Sequence, residues 1–123
     1  MIGPLADLVG LVGEMQRPWV VPSAAAMGAV AFPGLGGLLP GLGYQRSNDW
    51  GLGAEVRDSK APHWMGATND PSTFGHFGAA GGFVWVDPVA GVACACLTAR
   101  PFGAWARSAW PPLADAVIAA HRP

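Results

Sequence analysis

One histidine in glycine-rich backbone is the clearest candidate for chemistry in this chain. His76 stands in the stretch FGHFGAAGG, residues 74–82. Glycine weakens a strand, so a run of glycines marks a bulge or a place where another backbone or a ligand comes close. A histidine at such a place is available for hydrogen bonding or proton transfer. The alternative is a strand histidine whose hydrogen bonds are satisfied and which has no catalytic role.

Two other groups of side chains are weaker candidates. His63 and Trp64 lie in a stretch with many turn residues, where they could form a lip over a cleft and bind substrate. Alternatively, Trp64 packs this loop onto the body of the protein and His63 is solvated. Cys94 and Cys96 are two apart on a predicted strand, so they share a face and are poorly placed to bond to each other. They are best interpreted as two small buried hydrophobes, since a lone CxC is a weak metal signal.

Strands are predicted on both sides of the histidine. Residues 83–86 and 92–98 are rich in β-branched and aromatic side chains, and Asp87-Pro88 with Gly91 supplies the turn between them. Upstream, residues 49–57 alternate as a half-buried strand does, with Glu55 on the polar side. Residues 58–72 are expected to be a polar loop.

Helices flank these strands in the prediction. Residues 3–16 carry apolar side chains at helical spacing, and residues 24–30 form a short second helix. Residues 32–43 have no period and many glycines and prolines, which predicts a loop. A last helix opens at Pro111-Pro112, because proline is favoured at a helix start, and His121 caps its last turn. Antiparallel strands with flanking helices predict an α+β fold.

Composition excludes several classes of protein. With 123 residues, half of them apolar, the chain is one small domain or a piece of a larger one. A net charge of −1 leaves no electrostatic footprint for nucleic acid or an anionic membrane. Pro4, Asp7 and Glu14 interrupt the N-terminal apolar run, so neither export nor a membrane span is indicated, and a cytoplasmic location is expected. We expect no cofactor and no metal.

The stretch FGHFGAAGGFVWVDPVAGVACACLTAR, residues 74–100, resembles part of a known superfamily. It is similar to the C-terminal catalytic strand and following strand of serine β-lactamases, penicillin-binding proteins and esterases, in their class C-like branch. The third active-site box of that superfamily is Lys-Thr-Gly, or His-x-Gly in many esterase-like members. His76-Phe77-Gly78 matches the His-x-Gly form, and the Asp-Pro turn and second strand follow in the same order.

The resemblance implies roles for three positions. His76 would supply positive charge or a hydrogen bond beside the nucleophile, and Gly78 would complete the box. The backbone N–H of Ala79, the residue after the box glycine, would be one donor to the oxyanion. The substrate would be an acyl compound, and ester, β-lactam and peptide all remain open.

Two further parts of that machinery are missing from this sequence. The Ser-x-x-Lys box places a serine and a lysine on one helical face, so that the lysine can take the serine proton. The one lysine is Lys60, with Arg57 three residues before it, and the one tyrosine, Tyr44, makes no Tyr-x-Asn box. We therefore expect residues 1–123 to be the C-terminal portion of a β-lactamase-related domain that lacks the Ser-x-x-Lys subdomain, with a partial transpeptidase-like fold.

The sequence thus predicts a fragment of an esterase-like serine hydrolase that is inactive by itself. Its expected partners are the missing upstream half of the domain or further copies of the chain, with a small acyl or ester substrate in the parent protein. The rival hypothesis is a non-catalytic interaction or structural module derived from the same fold. A stand-alone enzyme using His76 with Asp49 and Ser72 is disfavoured, because Ser72 lacks a Gly-x-Ser-x-Gly context.

Overall fold

The computed structural model describes residues 3–17 and 22–121, and it is a mixed α+β structure. Three helices and six strands follow one another in these described ranges. Their bounds are α1 Leu5–Met15, α2 Pro22–Gly28, β1 Gly37–Leu39, β2 Gly43–Gln45, β3 Glu55–Val56, β4 Phe74–Phe77, β5 Phe83–Asp87, β6 Val92–Cys96 and α3 Ala104–His121.

A four-stranded antiparallel sheet forms the centre of the fold. Its strand order is β3-β4-β5-β6, so each strand pairs with its neighbour along the chain. The histidine-bearing strand β4 lies between β3 and β5, with Glu55 opposite Gly75 and His76 opposite Val84. The predicted α+β fold with antiparallel strands is therefore confirmed, and the end of the 49–57 region pairs with the histidine strand.

Helices cover both faces of this sheet, and each face has its own core. On one face α3 packs over the sheet around three buried tryptophans. This α3-side core contains Leu39, Leu42, Trp64, Met65, Phe83, Trp85, Val92, Ala106, Trp110, Ala114 and Ile118. On the other face α1 packs over the sheet, and the α1-side core contains Val12, Met15, Ala54, Val56, Phe74 and Val86.

The apolar stripe of α1 is covered over only part of its length. Val12 and Met15, at the C-terminal end, are buried in the α1-side core. Leu5 and Val9 are 48% and 58% exposed, and Leu11 is 37% exposed. These three side chains therefore leave part of the apolar surface of the helix uncovered.

The predicted loop at residues 32–43 contains a strand, because β1 and β2 form a short antiparallel hairpin with Leu38 opposite Tyr44. Glycine makes the hairpin possible, since Gly41 and Gly43 adopt φ of +73° and +88°. Leu39 and Leu42 are buried, whereas Leu38 is 76% exposed. The expectation of a loop was wrong because three-residue strands have too little alternation to be recognised in sequence.

The predicted strand at residues 49–57 is also broken. Gly53 has φ +84°, so the segment turns back on itself and Trp50 bridges to Glu55. Leu52 consequently lies at the turn, 61% exposed, and Glu55 is fully buried. The alternation in the sequence therefore assigned both of these side chains to the wrong environment.

The last helix begins earlier than the Pro111-Pro112 signal indicated. Helix α3 starts at Ala104, and both prolines lie inside it. A proline in a helix interior removes a backbone hydrogen bond, but Ala106 and Trp110 in the preceding turns are buried against the sheet. Among the described residues no helix is both long enough and apolar enough to cross a membrane.

Candidate active site

An open cleft of about 660 Å³ lies where the end of β4 faces the N-terminal half of α1. All three sequence-predicted catalytic positions, His76, Gly78 and Ala79, line this cleft. Leu8 and Leu11 of α1 line the opposite side. The structure therefore places these three positions beside a mostly apolar helix face that the sequence did not connect with them.

His76 is presented to solvent by the register of β4. Phe74 is buried in the α1-side core, and two residues on along the strand His76 is exposed. Gly75 between them has no side chain, and a Cβ there would collide with the carbonyl oxygen of Val84 on β5. The His76 ring makes no hydrogen bond within the described residues, so both ring nitrogens are available to a ligand.

The backbone after His76 turns sharply. Gly78 N–H donates to the Gly82 carbonyl and Gly81 N–H donates to the Gly78 carbonyl, each at 2.9 Å. Glycine is required at position 81 for two reasons: φ is +95°, and a Cβ there would collide with the Arg100 carbonyl. These bonds close a tight turn between β4 and β5.

Ala79 sits on this turn with one backbone group bonded and one free. Its carbonyl accepts the N–H of Phe102 at 3.0 Å, which fixes the orientation of its peptide. Its own N–H has no acceptor in the part of the chain that the structure describes. An exposed, oriented N–H at the edge of a cleft is a suitable donor for a developing oxyanion.

His63 and Trp64 lie elsewhere, in the core. Trp64 is 1% exposed and packs against Phe77, Phe83 and Trp110. His63 is 8% exposed and stacks on Trp64 with ring centroids 5.6 Å apart. Neither residue lines the cleft. This placement differs from the exposed lip expected for a substrate contact, and it also differs from the solvated His63 of the alternative.

A buried carboxylate explains the position of both side chains. Glu55 Oε1 accepts Lys60 Nζ at 3.0 Å and contacts His63 Nε2 at 2.8 Å, while Oε2 accepts Trp64 Nε1 at 2.7 Å. Lys60 Nζ also donates to the carbonyls of Asp49 and Val56, at 2.9 and 2.6 Å. Every one of these buried polar groups is therefore satisfied inside the chain. We call Glu55, Lys60, His63 and Trp64 the Glu55 cluster.

The protonation states of the Glu55 cluster follow from its geometry. Burial lowers the pKa of His63, although the Glu55 carboxylate opposes this. His63 Nδ1 accepts the Met65 N–H at 3.1 Å, so in the neutral ring Nε2 carries the proton and donates to Glu55. Burial raises the pKa of Glu55, but hydrogen bonds from His63 and Trp64 and the charge of Lys60 outweigh it and hold that pKa below its usual value. The single lysine of the chain is therefore committed to an ion pair.

The sequence interpretation missed the Glu55 cluster, because it placed Glu55 on the polar face of a strand. The available signal was local: a glutamate, lysine, histidine and tryptophan fall within ten residues.

The two cysteines are half-buried, and burial raises the pKa of Cys94 to about 11. Burial also raises the pKa of Cys96. Both thiols are consequently protonated and poor nucleophiles near neutral pH.

The fold is β-lactamase-like. This conclusion comes from a crystal structure of a beta-lactamase (Mb2281c) from Mycobacterium bovis, to which the chain is 52% identical over 97% of its own length, with a TM-score of 0.91. The chain spans 44% of the length of that protein. The likeness supports a relationship to that family of hydrolases. Comparison with protein-family models and with curated proteins found no match.

Proposed function

We propose that this chain supplies one half of the active site of an esterase-like serine hydrolase and is inactive by itself. The observation that carries the proposal is the pair of unbonded polar groups at the cleft, the His76 imidazole and the Ala79 N–H. The likeness to 44% of a protein described as a beta-lactamase supports it as well. In this proposal the nucleophile comes from a Ser-x-x-Lys segment that residues 1–123 do not contain.

Each half would contribute distinct groups to acyl transfer. The partner segment's serine oxygen bonds to the acyl carbon, its lysine or tyrosine takes the serine proton, and the negative charge develops on the carbonyl oxygen. The Ala79 N–H would donate to that oxygen, and the oriented peptide would need little rearrangement to do so. His76 would offer a hydrogen bond or a proton to the departing alcohol group.

Lys60 cannot take the place of the missing lysine. Its side chain is fully buried and bonds to one carboxylate and two carbonyls. A base for the nucleophile needs a free electron pair within reach of the serine, and Lys60 has neither exposure nor a serine three residues before it. This supports the assignment of the acylation chemistry to another segment.

A fusion experiment tests the proposal. The part of the M. bovis protein outside the match is joined to this chain, in the order that the M. bovis protein has, and compared with the chain by itself. We expect that a fluorophosphonate probe labels one serine of the fusion and none in the chain. The fusion should hydrolyse p-nitrophenyl esters, and nitrocefin measures any β-lactamase activity.

Two outcomes would contradict the proposal. Stoichiometric labelling of a serine in the isolated chain, abolished by replacing that serine, would show that the chain carries its own nucleophile. A correctly folded fusion that labels no serine and hydrolyses no ester would favour a non-catalytic module instead.

A further inference from the structure

We propose that Trp50 fixes the orientation of the His76 imidazole at the cleft and is thus a positioning residue for the site. The inference rests on the proposed function for its catalytic meaning. The His76 ring is exposed and makes no hydrogen bond within the described residues. An imidazole on a strand can rotate about two side-chain bonds, so something other than hydrogen bonding must orient it.

Trp50 supplies the aromatic contact of His76. The two ring centroids are 5.8 Å apart and the ring planes meet at 73°, which is an edge-to-face arrangement. Aromatic rings favour this geometry because the positive edge of one ring faces the negative face of the other. The contact therefore restrains the rotation of the imidazole as well as its position.

Trp50 is itself held from several directions. Its carbonyl accepts the Ala31 N–H at 2.8 Å, and its backbone bridges to Glu55. Its ring packs against the α3-side core. At the next residue, Gly51, a Cβ would collide with the Met27 carbonyl, so glycine lets this segment lie directly on α2. A tryptophan held in this way provides a fixed surface for the ring of His76 to pack against.

The Glu55 cluster fixes the backbone on the other side of Trp50. The Asp49 carbonyl accepts both Lys60 Nζ, at 2.9 Å, and the Val56 N–H, at 3.0 Å. The buried lysine thus closes the turn that presents Trp50 to His76. The Glu55 cluster therefore helps to position Trp50 and, through Trp50, His76. None of the four residues of the cluster lines the cleft itself.

Trp50 acts through His76 and not on the substrate, because Trp50 does not line the cleft in the described part of the chain. Its effect on hydrolysis should therefore vanish when His76 is absent. That dependence distinguishes a positioning residue from one that merely stabilises the fold.

The first test measures the orientation of His76 without any activity. The chain is labelled with [¹³C]histidine, and the His76 ring signal is assigned with His76→Gln. Relaxation of the ring C–H groups, measured by aromatic TROSY spectroscopy, reports how far the imidazole reorients. We expect Trp50→Leu to increase the motion of the His76 ring and Trp50→Phe to preserve most of its order.

The matched control is Trp105→Leu, since Trp105 also packs on the α3-side core, edge-on to Trp110 at 5.9 Å. Its replacement should leave the His76 ring order unchanged. The proposal is overturned if Trp50→Leu leaves that order unchanged, or if Trp105→Leu lowers it equally.

The second test uses ester hydrolysis by the fusion. We expect Trp50→Leu to lower kcat/KM several-fold, Trp50→Phe to restore most of the loss, and Trp50→Leu to have no further effect in a His76→Gln background. Equal losses in both backgrounds would overturn the inference. If the fusion hydrolyses nothing, the proposed function fails, and the relaxation experiment still decides whether Trp50 orients His76.

Discussion

Two histidines in opposite environments illustrate how this chain divides its polar groups. His63 is buried, and both its ring nitrogens bond to groups of the same chain, Glu55 and the Met65 N–H. His76 is exposed at a cleft, and its ring has no hydrogen-bond partner among the described residues. The two environments are close along the sheet, because Glu55 lies opposite Gly75, the neighbour of His76.

The polar groups that serve the fold are the ones bonded inside the chain. Buried polar groups must be satisfied internally, since an unpaired one costs free energy. The Glu55 cluster meets that requirement and ties the 58–72 loop to β3. The cleft shows the opposite pattern, with an unbonded imidazole, an unbonded Ala79 N–H and exposed leucines. These groups are ones that a ligand or another polypeptide segment could satisfy.

Removing the buried carboxylate is the strongest way to test this contrast. Glu55→Ala leaves the Lys60 ammonium buried without its anion and deprives His63 and Trp64 of their acceptor. Breaking a buried ion pair from one side costs about 3–5 kcal/mol. That is a large part of the ~5–15 kcal/mol by which typical domains are stable. Urea unfolding followed by tryptophan fluorescence measures the loss.

The matched control is Glu14→Ala. Glu14 faces Arg17 at 3.8 Å, and both side chains are more than half exposed, at 54% and 55%. Exposed pairs contribute about 0–1 kcal/mol, so the unfolding midpoint should hardly move. Similar midpoints for both variants would mean that the Glu55 cluster is not a stabilising element.

The second prediction concerns the other histidine and the fusion described above. His76→Ala should lower kcat/KM for an ester by ~10-fold or more with little effect on folding, because a positioned proton donor typically contributes ~10²–10⁴ and a supporting group less. His121→Ala is the control, since His121 is also exposed and its ring bonds to the Val117 carbonyl. Equal activities for the two variants, or unfolding on His76→Ala, would make His76 a structural residue.

The strands around His76 could be predicted from sequence because their signals are local. Residues 83–87 and 92–96 combine β-branched and aromatic side chains with an Asp-Pro turn, and they form β5 and β6. The stretch of residues 74–100, which resembles a catalytic strand and one following strand, contains three strands. β4 is a separate strand, and the turn at residues 78–82 divides it from β5.

The Glu55 cluster and the cleft were not predicted, for two different reasons. The turn at Gly53 breaks the alternation that had placed Glu55 in solvent, and burial of Glu55 requires partners up to nine residues away. The helical wall of the cleft comes from α1, some 65 residues before His76 in the chain. A repeating pattern identifies α1 as a helix but does not indicate which strand end its first turns face.

The third prediction concerns the buried histidine, His63, and the dependence of stability on pH. Burial holds the pKa of His63 below its usual 6.5. The unfolded chain therefore binds a proton at this residue more readily than the folded chain, so stability falls as the pH drops below about 6.5. Glu55, Asp70 and Asp115 have lowered pKa values and usual values of 4.5, 3.8 and 3.8, so they add their losses only at lower pH.

We therefore expect the urea midpoint of the wild-type chain to decline between pH 7 and pH 5. His63→Gln, which keeps a neutral donor for Glu55, should flatten that decline while lowering the midpoint at pH 7. A decline of the same slope in the variant would mean that other groups cause it.

The smallest expected effect concerns the apolar side of the cleft. Leu97 is 49% exposed and lines the cleft, whereas Leu113 is 42% exposed on α3 and does not line it. Adjoining exposed apolar side chains form a patch that binds hydrophobic dye, while an isolated exposed leucine is ordinary surface. Leu97→Gln should therefore reduce the fluorescence of bound anilinonaphthalene sulfonate, and Leu113→Gln should leave it unchanged. Both substitutions should change the free energy of unfolding by no more than about 0.5 kcal/mol, which urea titration checks.

In the fusion, where the added segment would cover the cleft, dye binding should fall for the unsubstituted chain as well. Equal dye emission from the chain and the fusion would mean that the added segment docks elsewhere, and the contrast between the satisfied Glu55 cluster and the unsatisfied cleft would lose its functional meaning.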